Sequence, residues 1–197
     1  MIAGTRLSRR LAGLVCMLLL FFGAAAAEAA VQVTFYSKEL GDSFPHAFVI
    51  LEGALDRGGP RVDEDYGFTA KAISPAILWG KVGGKVISDH GPAYVKGSDK
   101  HFTLTLTDAQ YDSLMAAVER WRKLKQPSYD LNRSNCVHFV ADLAAAVGLR
   151  IDVRKGLIKK PRSFLEALTD LNRDWLTGHG ALLYRRPPTP APAAATP

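Results

Sequence analysis

From residue 31 onward the chain runs in two hydrophobic rhythms, first of period two and later of period near 3.6. "VQVTFY" sets Val31, Val33 and Phe35 against Gln32, Thr34 and Tyr36, the pattern of a half-buried strand. "HAFVILEG" is apolar on both faces from Ala47 to Leu51, which predicts a central strand covered on both sides. The stretch "ALDRGGPRVDED" reads as a loop leading into a short strand around "YGFTA". "SPAILWG" reads as one helical turn with Pro75 at its first position, and "KVISD" as a further strand. "HFTLTLT" alternates again, with Phe102, Leu104 and Leu106 inward. At Thr107 the period changes. Thr107 and Gln110 have the spacing of a capping box, and Tyr111, Leu114, Met115, Val118 and Trp121 then recur along one helical face. Pro127 ends that element. A second helix is expected from near Asn135 to Gly148, its C-terminal cap, and a third, "PRSFLEALTDL", opens with Pro161. Strands and helices without regular alternation predict an α+β fold: a mostly antiparallel sheet packed against about three helices.

The ends follow neither rhythm. Arg6, Arg9 and Arg10, the apolar run "LAGLVCMLLLFF" and the small-residue stretch "GAAAAEAA" have the layout of a secretory signal over residues 1–29. That run is short of the roughly 20 residues a spanning helix needs. "RRPPTPAPAAATP" lacks core-forming side chains and is expected to be a disordered tail over residues 185–197. Residues 30–184 remain as one domain with room for a sizeable core. The expected location is periplasmic or secreted, and the expected state a monomer.

Charge narrows the partners. The chain has 25 basic and 19 acidic residues, and removing Arg6, Arg9, Arg10 and Glu28 leaves 22 against 18. Much of the excess lies in "VRKGLIKKPR", a solvated loop or a contact for an anionic surface. Export, and the lack of an aromatic-and-glycine nucleic-acid motif, argue against nucleic acid as a partner.

The candidate chemistry lies in "YDLNRSNCVHFVADLAAAVGL". Cys136, Phe139, Val140, Leu143 and Val147 share one helical face, so the thiol points inward. A free cysteine is often just a small buried hydrophobe. In the first helical turn, however, unpaired N–H groups and the helix dipole favour thiolate, and an idle thiol is a liability in an exported protein. The expectation is a nucleophile, which requires a base. His138 lies too far round the helix to reach the sulfur, and His90 and His101 flank turns and read as surface residues. His46, at the start of the central strand, and His179, in "TGHGALLY", both remain candidates. Neither a His-Glu-x-x-His nor a Cys-x-x-Cys pattern occurs, so no metal or other cofactor is expected.

"NCVHFV" resembles the Asn-Cys-x-His-Phe signature of lecithin:retinol acyltransferase-like proteins, and "HAFVILEG" resembles the strand that carries their histidine. Both belong to the circularly permuted branch of the NlpC-type, papain-like superfamily, and the similarity covers about residues 31–150. The resemblance implies Cys136 as nucleophile and His46 as general base. The chain order agrees with it, because the strands precede Cys136 and only about forty usable residues follow. Those relatives carry a second histidine on the next strand. Here Asp63, Glu64, Asp65 and Tyr66 occupy that stretch, and Asp65 is the candidate for orienting the imidazole. The implied activity is thioester acyl transfer. For an exported protein the first expected substrate is peptidoglycan peptide, making the enzyme a cell-wall peptidase or amidase. The alternatives are an acyl-lipid hydrolase or acyltransferase at a membrane surface, and a non-catalytic binding module in which Cys136 merely packs.

Overall fold

In the computed structural model, residues 30–39, 44–72 and 74–184 are described. The expected signal segment, 1–29, and the expected tail, 185–197, lie outside them. Six strands form one sheet: β1 (Val31–Lys38), β2 (His46–Gly53), β3 (Val62–Ala70), β4 (Gly84–Ile87), β5 (Asp99–Leu106) and β6 (Leu182–Leu183). Their order is β4-β3-β2-β1-β5-β6, and every neighbouring pair is antiparallel. The helices are α1 (Pro92–Lys96), α2 (Asp108–Arg122), α3 (Cys136–Ala146), α4 (Pro161–Leu171) and α5 (Arg173–Gly178). This is the expected α+β arrangement, with α2, α3 and α4 as its three longer helices. The short α1, α5 and β6 carry too few residues for a periodic signal.

The strands turn one set of alternate residues under the longer helices. Val33, Phe35, Val49, Leu51, Phe68, Phe102 and Leu104 meet Leu114, Val118, Phe139, Leu143, Phe164 and Leu165 in one core. Helix α3 lies on β2 and β3, α4 lies on β1 and β5, and α2 packs beside α3. The expected caps form. Thr107 and Gln110 make a full capping box on α2, and Gly148 has φ +104°, which an L side chain rarely adopts.

The opposite face of the sheet is covered in part: Thr34 and Tyr36 of β1, Phe48 of β2 and Thr103 of β5 are buried there. Phe48 stacks on Tyr36 at 5.1 Å and on His90 at 4.2 Å, with Tyr94 of α1 at 5.7 Å. That cover explains why "HAFVILEG" is apolar in both directions. β3 is longer than the sequence pattern implies. Its strand begins at Val62, so Asp63, Glu64 and Asp65 are strand residues paired with β2. Alternation then sends Asp65 and Gly67 to the face that holds Phe48.

Candidate active site

The site forms where β2 begins. β2 and β3 pair only as far as Phe48 and Gly67; beyond that point β3 continues alongside β4 to Ala70. The start of α3 packs against this opening.

Asn135 builds the helix start. Its Oδ1 accepts from the backbone N–H of Val137 at 2.9 Å and of His138 at 3.3 Å. Its Nδ2 donates to the carbonyls of Leu131 and Ile158, both at 2.8 Å. Asn135 is therefore a cap that also ties two loops to the helix. Cys136 follows as the first helical residue, 6% exposed and unpaired. The backbone N–H groups of Ala47, Val137 and Cys136 itself reach its sulfur and favour thiolate. Burial opposes them and dominates, pushing the thiol up to about 11. The expected thiolate is thus absent at neutral pH.

Cys136 opens onto a cavity of about 490 Å³ whose other walls include Phe44, Pro45, Ala70, Pro75, Ile77, Leu78, Leu131 and Ile158. Thr69, Ser74, Tyr129, Asn135 and Lys159 supply its polar atoms. Burial raises the Tyr129 phenol, with proximity to Cys136 adding to it.

His46 occupies the other face of β2. Its ring lies against Gly67, where a Cβ would stand 2.5 Å from its Nε2. It stacks on Phe48 at 6.2 Å and on His90 at 5.5 Å. Burial, and then the neighbouring His90, pull its pKa down to about 3, so the imidazole is neutral. Its Nε2 is buried with no hydrogen-bond partner, and among the described residues no hydrogen bond joins it to Cys136. A second cavity, of about 270 Å³, holds His46, Asp89, His90 and Tyr94, and shares Phe44, Pro45, Thr69 and Tyr129 with the first. The two candidates thus occupy adjoining cavities at one end of the sheet.

Asp65 holds a histidine, though a different one from that expected. Its Oδ1 accepts from Nδ1 of His90 and, at 3.3 Å, from the His90 backbone N–H. The surface reading of His90 is corrected: its side chain is 3% exposed. A carboxylate only accepts, so Asp65 fixes the Nδ1–H tautomer of His90. Nε2 of His90 is also buried without a partner, and a Cβ on Gly67 would lie 3.2 Å from it. Two unpartnered ring nitrogens therefore converge above one glycine. An isolated glycine inside a strand marks a close approach, and Gly67 in "DEDYGFTA" is the sequence signal that could have pointed here, though the strand reading did not use it.

The remaining histidines lie elsewhere. His101 is also buried rather than superficial, its Nε2 2.8 Å from Ser37 Oγ, and burial brings its pKa down to about 4. His138 is half-buried with Nδ1 2.9 Å from Asn135 Oδ1. His179 stacks on Trp175 at 3.9 Å, is exposed, and lines neither cavity. The basic segment is reduced in the fold: Arg154 pairs with Asp152, and Arg162 pairs with Asp99 and Glu39. Among the described residues no cluster of three or more His, Cys, Asp or Glu could hold a metal ion, and no helix is long and apolar enough to cross a membrane. No protein-family model, curated protein or solved structure matches this chain.

Proposed function

We propose that this protein is an exported cysteine hydrolase working by thioester acyl transfer, with Cys136 as nucleophile and His46 as base. The observation that carries the reading is a free thiol at a helix start, opening onto an apolar cavity that shares walls with the cavity holding a buried, unpartnered imidazole nitrogen. The likeness of "NCVHFV" and "HAFVILEG" to the permuted papain-like branch supports the same pair.

In the resting protein both groups are neutral. Reaction therefore needs His46 Nε2 to come within hydrogen-bond reach of the sulfur, and apo geometry is commonly looser than this. As Sγ bonds to the carbonyl carbon, its proton passes to Nε2 and the C=O electrons move to oxygen. The backbone N–H of Cys136 or Ala47 is available to that oxyanion, a contact type worth about 10²–10³ in rate. Collapse expels the leaving group, which takes the proton from His46, and leaves a thioester. Water or another acceptor, deprotonated by His46, then releases the acyl group. Asp65 acts as a positioning residue through His90, which backs the His46 ring.

The apolar lining favours a substrate with a hydrocarbon acyl group over a charged wall peptide. The acyl-lipid hydrolase or acyltransferase reading is therefore preferred within this reaction class, with the wall peptidase or amidase as its competitor. The test offers acyl esters of short and long chain, and muropeptides, to the protein and to Cys136→Ala and His46→Ala. Expected is a hydroxylamine-sensitive acyl adduct on Cys136, formed faster with long chains and slowed in His46→Ala. Muropeptide cleavage without acyl-ester turnover would restore the wall-peptidase reading. No adduct from any substrate, in folded protein, would leave the binding module.

A further inference from the structure

A second cleft, of about 750 Å³, adjoins the Cys136 cavity and shares Ile77, Leu78, Ile158 and Lys159 with it. Its two sides differ in chemistry. On one, Leu78 and Trp79 are 71% and 81% exposed at the end of the turn Pro75–Leu78. On the other lie Arg133, Lys155, Lys159 and Lys160, all exposed and none in a salt bridge among the described residues. Asp130 is the single carboxylate lining the cleft.

We propose that this rim docks the protein on an anionic lipid bilayer, with Leu78 and Trp79 entering the headgroup boundary and the four cations meeting the phosphates. Each half of the rim matches one property of that surface. Clustered cations near an anionic leaflet are attracted in a salt-dependent way. An indole is amphipathic and suits the boundary between water and hydrocarbon. A soluble polyanion would satisfy the cations but leave Leu78 and Trp79 in water. The bilayer accommodates both. Because Leu78 and Ile158 also line the Cys136 cavity, docking brings the cavity mouth to the membrane. The docking surface does not depend on Cys136 acting as a nucleophile.

The test uses the protein as it accumulates in cells, its N-terminus read by mass spectrometry, together with its Cys136→Ala form so that turnover cannot alter the lipid. Binding is measured by co-sedimentation with vesicles of phosphatidylglycerol and phosphatidylcholine, and with phosphatidylcholine alone. Expected is binding to the anionic vesicles that weakens with added salt, accompanied by a blue shift of tryptophan emission. Neutralising Lys155, Lys159 and Lys160 together to Gln should weaken the salt-sensitive binding about 100-fold. Trp79→Ala should weaken it about tenfold, and Trp79→Phe should remove the blue shift while keeping most of the affinity. Equal binding to neutral vesicles, or anionic binding unchanged in the triple lysine variant, would overturn the proposal. So would competition by free polyphosphate that leaves Trp79 emission and the Trp79→Ala affinity unaltered, since the rim would then be a polyanion site.

Discussion

Acid should destabilise this fold through His46 and His101. Burial brings their pKa values down to about 3 and about 4 in the folded chain, against about 6.5 when unfolded. Below pH 6.5 the unfolded chain therefore binds protons that the folded chain refuses. Stability is complete above that pH and falls as the pH drops, until about 4 for His101 and about 3 for His46. Between pH 7 and pH 5 linkage makes each residue cost about 2 kcal/mol, or about 4 kcal/mol together. That is a large part of a typical stability of about 5–15 kcal/mol. With a urea slope of about 2 kcal/mol/M, the unfolding midpoint should fall by about 2 M over the same interval. Urea titrations at half-unit pH steps, followed by tryptophan fluorescence, would read this directly. His101→Gln keeps a polar atom near Ser37 and removes one titration, so it should halve the pH dependence; His46→Gln should do likewise. A midpoint moving by less than about 0.5 M, or a double variant with the parent's pH dependence, would refute the argument, because the buried imidazoles would then not be held neutral.

Gly67→Ala would put a Cβ 2.5 Å from His46 Nε2 and 3.0 Å from His90 Cε1. Moving those rings should cost about 1–3 kcal/mol in stability and lower acyl-adduct formation on Cys136, read by denaturation and mass spectrometry. Asn135→Ala removes a cap and two further donations, and should cost about 2–4 kcal/mol. Asn135→Asp should cost as much despite keeping the cap, because it sets a carboxylate against the Leu131 and Ile158 carbonyls; a silent Asp variant in urea denaturation would reduce Asn135 to a cap alone. In the resting protein Cys136 should react with iodoacetamide at pH 7 about 10²-fold more slowly than a free thiol of pKa about 8.5. Its rate should still be climbing above pH 9, and a plateau by pH 8 would mean that the helix start outweighs burial.

The strands and the longer helices were legible because most bury one face while β2 buries both, and burial writes that pattern into the sequence. Val31, Val33 and Phe35 on β1, and Cys136, Phe139, Val140 and Leu143 on α3, lie where alternation or helical spacing put them. What alternation could not supply was the partner of each polar side chain. His90 stands in "SDHGPAYV", beside a glycine and a proline, and nothing local distinguishes it from a surface histidine. It is buried because α1 folds back over Phe48 and carries Tyr94 with it. Asp65 was legible as a residue and not as a contact. Its strand reaches past the glycine-rich turn, and its partner comes from the loop after β4, twenty-five residues later. Charge was misleading for a related reason. Arg154 and Arg162 count toward a basic run in sequence, yet both are paired in the fold, while Arg133 joins the exposed cations from a turn outside that run.

The thiol's protonation is decided by magnitudes that the sequence does not hold. A helix start stabilises a neighbouring anion by about 0.3–1 kcal/mol, less than one unit of pKa at 1.36 kcal/mol per unit. Burial of Cys136 outweighs that contribution and the backbone donors of Ala47 and Val137 combined. Cys136 belongs to the hydrophobic core and also lines the cavity, whose apolar wall includes Leu131 and Ile158. On the proposed acyl-lipid reading, the apolar surroundings that would accept a hydrocarbon chain also keep the Cys136 thiol protonated. A preformed thiolate–imidazolium pair would need water or compensating charge at this point, and either would compete with an acyl chain. A neutral pair that transfers its proton only as the sulfur attacks avoids burying separated charge in the resting state. On the proposed reading, an apolar substrate and a protonated resting thiol would be two consequences of one packing arrangement.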